Sequence, residues 1–240
     1  MTKLYEGNHH ILIRTGYADP IQHRHMAAHI IISTVESMRA TVNGRNFICP
    51  GIMIPSGVPH VVETNGQSAL VFLFDNTTTV ARQIHELTPL PETDCADILV
   101  QFRMFERQET ADAYQAFLNF LLSKLGLGEA QCCVTDDRII SSIHRSSEGL
   151  SCPEAARLVH LSQGRFSHLF KAQTGLSFSS YLLYQKTMAV YAGILRGQTI
   201  TEAAMDAGFS SPSHFADVHR RLFGLSASQI TKDLTYTRVR

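Results

Sequence analysis

The sequence predicts an α+β protein. It should hold an N-terminal antiparallel β-barrel, a helical segment, and an all-α C-terminal domain carrying two helix-turn-helix motifs. Three observations lead there: short apolar runs punctuated by Gly and Pro up to residue 76, a helical period from residue 77, and an internal repeat after Asp136. In the first region HHILIRTG, AHIIISTV, FICPGIMIPSG and SALVFLFD read as strands, with VNGRN as a turn. They are rich in Ile, Val and Phe and closely spaced, which suits a small barrel. Within 77–126, Val80, Ile84 and Leu87 are spaced by four and three, and Ile98, Phe102 and Phe105 likewise. Tyr114, Phe117, Leu118, Leu121 and Leu125 form a longer stripe that Gly126 is expected to cap. This stripe either packs on the barrel or forms the interface of a homodimer. The small, polar stretch 127–135 is expected to link it to a domain over 136–240.

At 240 residues the chain has room for two modest domains. Its formal net charge of zero hides an asymmetry. Residues 1–135 hold 9 Lys+Arg against 13 Asp+Glu, a net −4, while 136–240 hold 12 against 8, a net +4. An acidic sensor joined to a phosphate-binding module would divide this way. The five cysteines contain no C-x-x-C pair and are odd in number, which favours reduced thiols over a disulfide framework. The start of the chain lacks an apolar leader and no apolar run could span a bilayer, so a soluble, cytoplasmic protein without a membrane partner is expected.

The repeat carries the main functional argument. AARLVHLSQGRFSHLFKAQTGLS, from Ala155, matches AAMDAGFSSPSHFADVHRRLFGLS, from Ala203. Ser162 corresponds to Ser210, an offset of 48; after the turn the offset is 49, pairing Phe166 with Phe215 and Gly175 with Gly224. Each unit reads as helix, tight turn, helix. Ser162 and Ser211 are natural N-caps, the latter with Pro212 at the first helical position. Phe166, Leu169 and Phe170 face inward in the first unit, and Phe215, Val218, Leu222 and Phe223 in the second. Gly164, Ser167, His168 and Lys171 line the opposite face of the first, and Ser213, Ala216, Asp217 and Arg220 that of the second. Small, hydrogen-bonding and basic residues let a helix approach base edges in a major groove. Arg165, Arg221 and Lys186 flank these faces as phosphate contacts, and His214 sits beside Ser213.

From about Ile139 to Ile230 the sequence resembles the AraC/XylS-type DNA-binding domain, most specifically in TEAAMDAGFSSPSHFADVHRRLFGLSASQ. The resemblance implies a linker helix over Phe178–Leu195 and recognition helices entering successive major grooves about 34 Å apart. Four positions depart from the family: His219 replaces an aromatic, His168 and Asp217 stand where Arg is frequent, and Ala227 replaces a Pro. Asp217 would repel phosphate, though it could accept from cytosine.

The first half resembles the cupin-type sensor of the same family in two motifs, His23-x-His25-x-x-x-His29 and Pro55-Ser56-Gly57-Val58-Pro59-His60. Metal-binding cupins carry H-x-H-x(3,4)-E and P-x-G-x-x-H, so His29 replaces the acid. Alternate strand residues share a face, which puts His23 and His25 on one side, with His29 in the same parity. His60 would swing towards them from a neighbouring strand. Converging imidazoles suit zinc, nickel, copper or iron. The same residues could instead contact an organic effector. His9, His10 and His85 offer no partner of known geometry and are left as surface or core residues.

These readings describe a regulator of transcription that binds double-stranded DNA and answers to a small molecule or metal ion. Its further expected partners are a second copy of itself and, for an activator, RNA polymerase. The alternative is a metal-dependent cupin enzyme with a DNA-binding appendage. The replaced Glu, and the lack of an acid–base pair in the barrel half, argue against that.

Overall fold

The computed structural model describes residues 2–16, 21–231 and 234–239. Arg240, the end of the expected C-terminal domain, and residues 232 and 233 within it lie outside the described residues. The chain divides into two compact units, Met1–Gln131 with Arg220–Arg240, and Cys132–His219.

The first unit contains β1 (Thr2–Gly7), β2 (His10–Gly16), β3 (Ala27–Ser33), β4 (Met38–Val42), β5 (Arg45–Cys49), β6 (Gly51–Ile54), β7 (His60–Glu63) and β8 (Ser68–Asp75). There follow α1 (Thr79–Gln83), β9 (Thr88–Leu90), α2 (Glu92–Gln108) and α3 (Ala111–Lys124), and later α10 (Ala227–Thr231) and β10 (Leu234–Arg238). One sheet runs β10-β1-β2-β8-β3-β6-β9 and a smaller one β5-β4-β7. The expected barrel is therefore realised as two sheets rather than one closed cylinder. The VNGRN turn is confirmed, with Asn43 and Gly44 both at positive φ between β4 and β5.

Strand β8 reads as an unbroken apolar run because both its faces are covered. Leu70, Phe72 and Phe74 join Ile30 and Ile32 in one core with α2 and α3, while Val71 and Leu73 are buried on the other face. The stripe on α3 has its partner here. Tyr114, Phe117, Leu118 and Leu121 are buried against the sheet, and Leu125 packs at the edge of the same core. Aromatic rings lock the layers: Tyr5 stands edge-on to Phe105 at 4.9 Å, and Phe105 edge-on to Tyr114 at 5.2 Å. Among the large apolar side chains left outward, beside Ile21, Val35 and Ile48, are Val100 and Met104 on α2, about half exposed and one turn apart.

Two expectations need correction. Helix α1 stops at Gln83, so Leu87 lies beyond it and the chain turns into β9. The region after Asp136 is not all helical: β10 pairs in parallel with β1, Thr2 opposite Leu234 through Glu6 opposite Arg238. The alternating sequence LTYTR satisfies the open edge of β1. Of the two readings of the α3 stripe, packing on the barrel is the one these contacts realise.

The second unit holds α4 (Asp137–His144), α5 (Cys152–Leu158), α6 (Gln163–Thr174), α7 (Phe178–Leu195), α8 (Ile200–Asp206) and most of α9 (Pro212–Phe223). Sequence signals set these ends. Ser151 with Glu154, and Thr199 with Glu202, form capping boxes at α5 and α8. Ser162 accepts from the Arg165 N–H at the start of α6, and Ser211 from the His214 N–H in the first turn of α9. Phe166 and Phe170 pack edge-on against Phe178, at 5.1 and 5.0 Å. This core fixes α6 between α5 and α7.

Candidate nucleic-acid interface and histidine cluster

Helices α6 and α9 are the second helices of the two repeats, and each presents a polar face. Gly164, Arg165, His168 and Lys171 are exposed on α6, as are Ser213, His214, Ala216, Asp217, Arg220 and Arg221 on α9. Two residues differ from the expected role. Ser167 is half-buried, its hydroxyl 3.4 Å from the Cys152 thiol, so it belongs partly to the α5–α6 contact. Lys186 donates from Nζ to the Gly208 carbonyl at 3.0 Å, so its ammonium is engaged in closing the second unit's turn. On α9 the His214 ring is held by the Ser210 hydroxyl, 2.9 Å from Nδ1. His219, the polar residue where an aromatic was expected, is fully buried, with Nε2 2.5 Å from the Tyr191 hydroxyl.

The histidine motifs converge in the first unit. His23 and His60 form a β-bridge, exchanging backbone hydrogen bonds of 3.1 and 2.9 Å. The Gly57 N–H donates to the His25 carbonyl at 2.8 Å, which ties the PSGVPH turn to the H-x-H segment. His23, His25 and His60 are all buried, and one ring nitrogen of each lies within 4.8 Å of the others. Nδ1 of His23 lies 2.8 Å from the Ile21 carbonyl, and Nδ1 of His60 the same distance from that of Val58. With Nδ1–H donating to a carbonyl, Nε2 keeps its lone pair, the tautomer a metal ligand needs. Burial lowers the pKa of His23 and takes that of His60 down to about 4, so both imidazoles are neutral.

His29, on β3, stands beside this triad. Its ring centroid is 4.2 Å from that of His25 and 4.9 Å from that of His60. It is 1 % exposed, and neither ring nitrogen has a hydrogen-bond partner. Burial, then the neighbouring His60 and His23, hold its pKa well below the ordinary value. The Ile54 backbone, opposite it in register, acts on its charge without reaching bonding geometry. Of the four expected histidines, three thus come within ligand range of one another and the fourth adjoins them.

Sequence reasoning missed two residues of the first unit that complete this site. The Phe223 ring stands edge-on to His25 at 5.2 Å. Gly224 accepts from the Ile21 N–H at 3.1 Å, and a Cβ there would fall 2.3 Å from His23 Nδ1. Glycine is therefore required beside the ring, a demand that the repeat's Gly-Leu-Ser had masked as a helix stop. Of the surface and core readings left open for His10, the core one holds, with a partner the sequence did not offer. His10 is buried, with Nε2 2.8 Å from the Tyr114 hydroxyl.

Tandem helix-turn-helix units joined by a long helix define a DNA-binding class of domain. A family model described as a helix-turn-helix domain matches residues 155–233. Over 81 residues the chain is 32 % identical to a probable transcriptional regulator, LumQ, of Photobacterium leiognathi, covering 33 % of each protein. Over 83 residues it is 31 % identical to the virulence regulon transcriptional activator VirF of Yersinia enterocolitica, covering 34 % of this chain and 31 % of that one. The chain thus matches about a third of the length of these relatives. The fold extends further. An apo form of ToxT from Vibrio cholerae superposes with a TM-score of 0.62 at 10 % identity, over 94 % of this chain and 97 % of that one. An unsaturated fatty acid-bound ToxT gives 0.55 at 12 % identity, over 93 % and 95 %. Among the described residues, no helix is long and apolar enough to cross a membrane.

Proposed function

We propose that the chain is a sequence-specific DNA-binding regulator of transcription whose N-terminal unit binds an effector. The observation that carries this is the pair of exposed polar faces on α6 and α9, each on a helix-turn-helix unit of the AraC/XylS type. Arg165, Lys171, Arg220 and Arg221 neutralise phosphates, while Gly164, Ser167, His168, Ser213 and His214 approach bases. Ser167 does so only with the part of its side chain that Cys152 leaves open. The relatives' description as regulators favours a binding protein over an enzyme.

The effector in this reading is a divalent transition metal, held by His23, His25 and His60 with His29 as a fourth donor. The buried, neutral, lone-pair-presenting imidazoles fit zinc, nickel, copper or iron, and the orphaned nitrogens of His29 give the pocket an unmet demand for a partner. Bound metal would cross-link three segments of the barrel. An organic effector is the second reading, favoured by the fatty acid recorded in the ToxT structure. Two copies would pair through the exposed Val100 and Met104 face of α2, linking two operator half-sites, and an activator would then contact RNA polymerase.

The test joins two measurements. Binding to a selected operator should fall about tenfold in Arg165→Ala and lose roughly one unit of salt slope. Metal content after reconstitution should approach one ion per chain, and vanish in His25→Ala and His60→Ala. Metal retained in both variants ends the metal reading, and DNA affinity untouched in Arg165→Ala and Arg220→Ala together ends the regulator reading. Sedimentation of Met104→Glu checks the pairing.

A further inference from the structure

A second site lies in the same unit, apart from the histidine cluster. A cavity of about 280 Å³ opens between the β1–β2 turn, one face of α3 and the chain at Glu129–Gln131. It is small for a ligand pocket and holds roughly nine water volumes.

Its inner wall is built around His10. The imidazole lies between Phe74 and Tyr114, with ring centroids at 5.4 and 5.7 Å, stacked on both. Gly7 makes room for it, since a Cβ there would fall 2.3 Å from the His10 ring. Nδ1 lies 2.8 Å from the Asn8 carbonyl, so Nδ1–H donates there and Nε2 accepts from the Tyr114 hydroxyl. The Tyr114 oxygen, its proton committed, is left as an acceptor at the cavity wall. Burial takes the His10 pKa down to about 4, so the ring adds no positive charge near neutral pH.

The rest of the lining has one sign. Glu129 brings a carboxylate, and the side chains of Asn8, Gln115 and Asn119 bring amides; among the described residues neither Lys nor Arg lines it. Gln131 donates to the Glu129 carboxylate, and the Glu129 carbonyl is held by the Thr79 hydroxyl, which fixes this segment at the cavity mouth. Leu118, Leu122 and Val239 supply apolar wall.

We propose that this cavity binds a small aliphatic amine, its ammonium on Glu129 and the Tyr114 oxygen and its methylenes on Leu118 and Leu122. A carboxylate of the same size would meet Glu129 with no cation among the described lining residues to receive it. A neutral diol would lack the charge term. The site takes its ligand independently of any metal at the histidine cluster.

Titration calorimetry of the full chain at pH 7.5 tests this with 1,4-diaminobutane, n-butylamine, butyrate and 1,4-butanediol. Both amines should bind saturably, and the acid and the diol at least tenfold more weakly. Glu129→Gln, an exposed substitution that leaves the core intact, should weaken amine binding tenfold or more. Tyr114→Phe should weaken it several-fold. His25→Ala should leave it unchanged, which separates this site from the metal reading. Absence of amine binding, equal binding of butyrate, or full binding by Glu129→Gln would each overturn the proposal. In those cases His10 and Tyr114 simply tie the sheet to α3.

Discussion

Two fully buried histidines, one in each unit, show opposite solutions to the same problem. His219 replaces an aromatic in the core of the second helix-turn-helix unit, and Tyr191 meets its Nε2 at 2.5 Å. His29 is equally buried, and both its nitrogens go unmet. An unsatisfied buried polar group costs on the order of 1–3 kcal/mol, so a native protein normally supplies a partner. Where the partner is internal the residue is structural, as at His219. Where it is missing, the residue has a ligand to bind under the proposed function.

The largest expected effect tests the repeat behind this comparison. Phe170 is the first unit's counterpart of His219, packed against Phe166, Phe178 and Tyr181. Phe170→Ala should destabilise the second unit by about 3–5 kcal/mol in urea melts; a loss below 1 kcal/mol would mean that the two cores are not equivalent.

Next comes pH, which distinguishes a partnered histidine in an apolar wall from an exposed one. The folded pKa of His10 lies below the ordinary 6.5, at about 4. The neutral form is therefore favoured by folding. Its stabilisation is present above pH 6.5 and is lost as pH falls towards 4, by up to roughly 3 kcal/mol. Urea midpoints at pH 7 and 4.5 should converge more in His10→Gln than in the parent; an identical acid loss in both would remove His10 from the account.

His219→Leu should cost about 1–3 kcal/mol by stranding the Tyr191 hydroxyl, and Tyr191→Phe in the same chain should recover most of it. The smallest change is expected at His29. In metal-free protein, His29→Leu should be neutral or slightly stabilising, because a polar group without a partner is replaced by an apolar one. If thermal melts show it to be as costly as His219→Leu, the contrast between the two residues fails.

The sequence displayed local features well and distant ones poorly. The repeat's offset rises from 48 to 49 because the connection between α5 and α6 has four residues, 159–162, and that between α8 and α9 has five, 207–211. Caps at Ser162 and Ser211 were equally legible, since each depends on neighbours a few residues away, while the extent of α7 came from the family resemblance. The H-x-H spacing singled out His23 and His25, but both precede β3, on which only His29 of that motif stands. The bridge from His23 to His60, rather than strand alternation, therefore sets their meeting. Nothing local could place Phe223 against His25, or Tyr114, 104 residues on, against His10. The α3 stripe looked the same whether its partner was the sheet or a second copy, because amphipathicity reports that a face is covered and not by what.

Strand β10 also constrains the order of assembly. It covers the outer edge of β1, and Val239 joins the core beneath. During synthesis β1 leaves the ribosome before the helical unit, yet its edge donors and acceptors stay unpaired until residues 234–238 follow, after that unit has been made. An open edge is a template for pairing with other nascent chains. The first unit is thus begun before the helical unit is made and sealed after it.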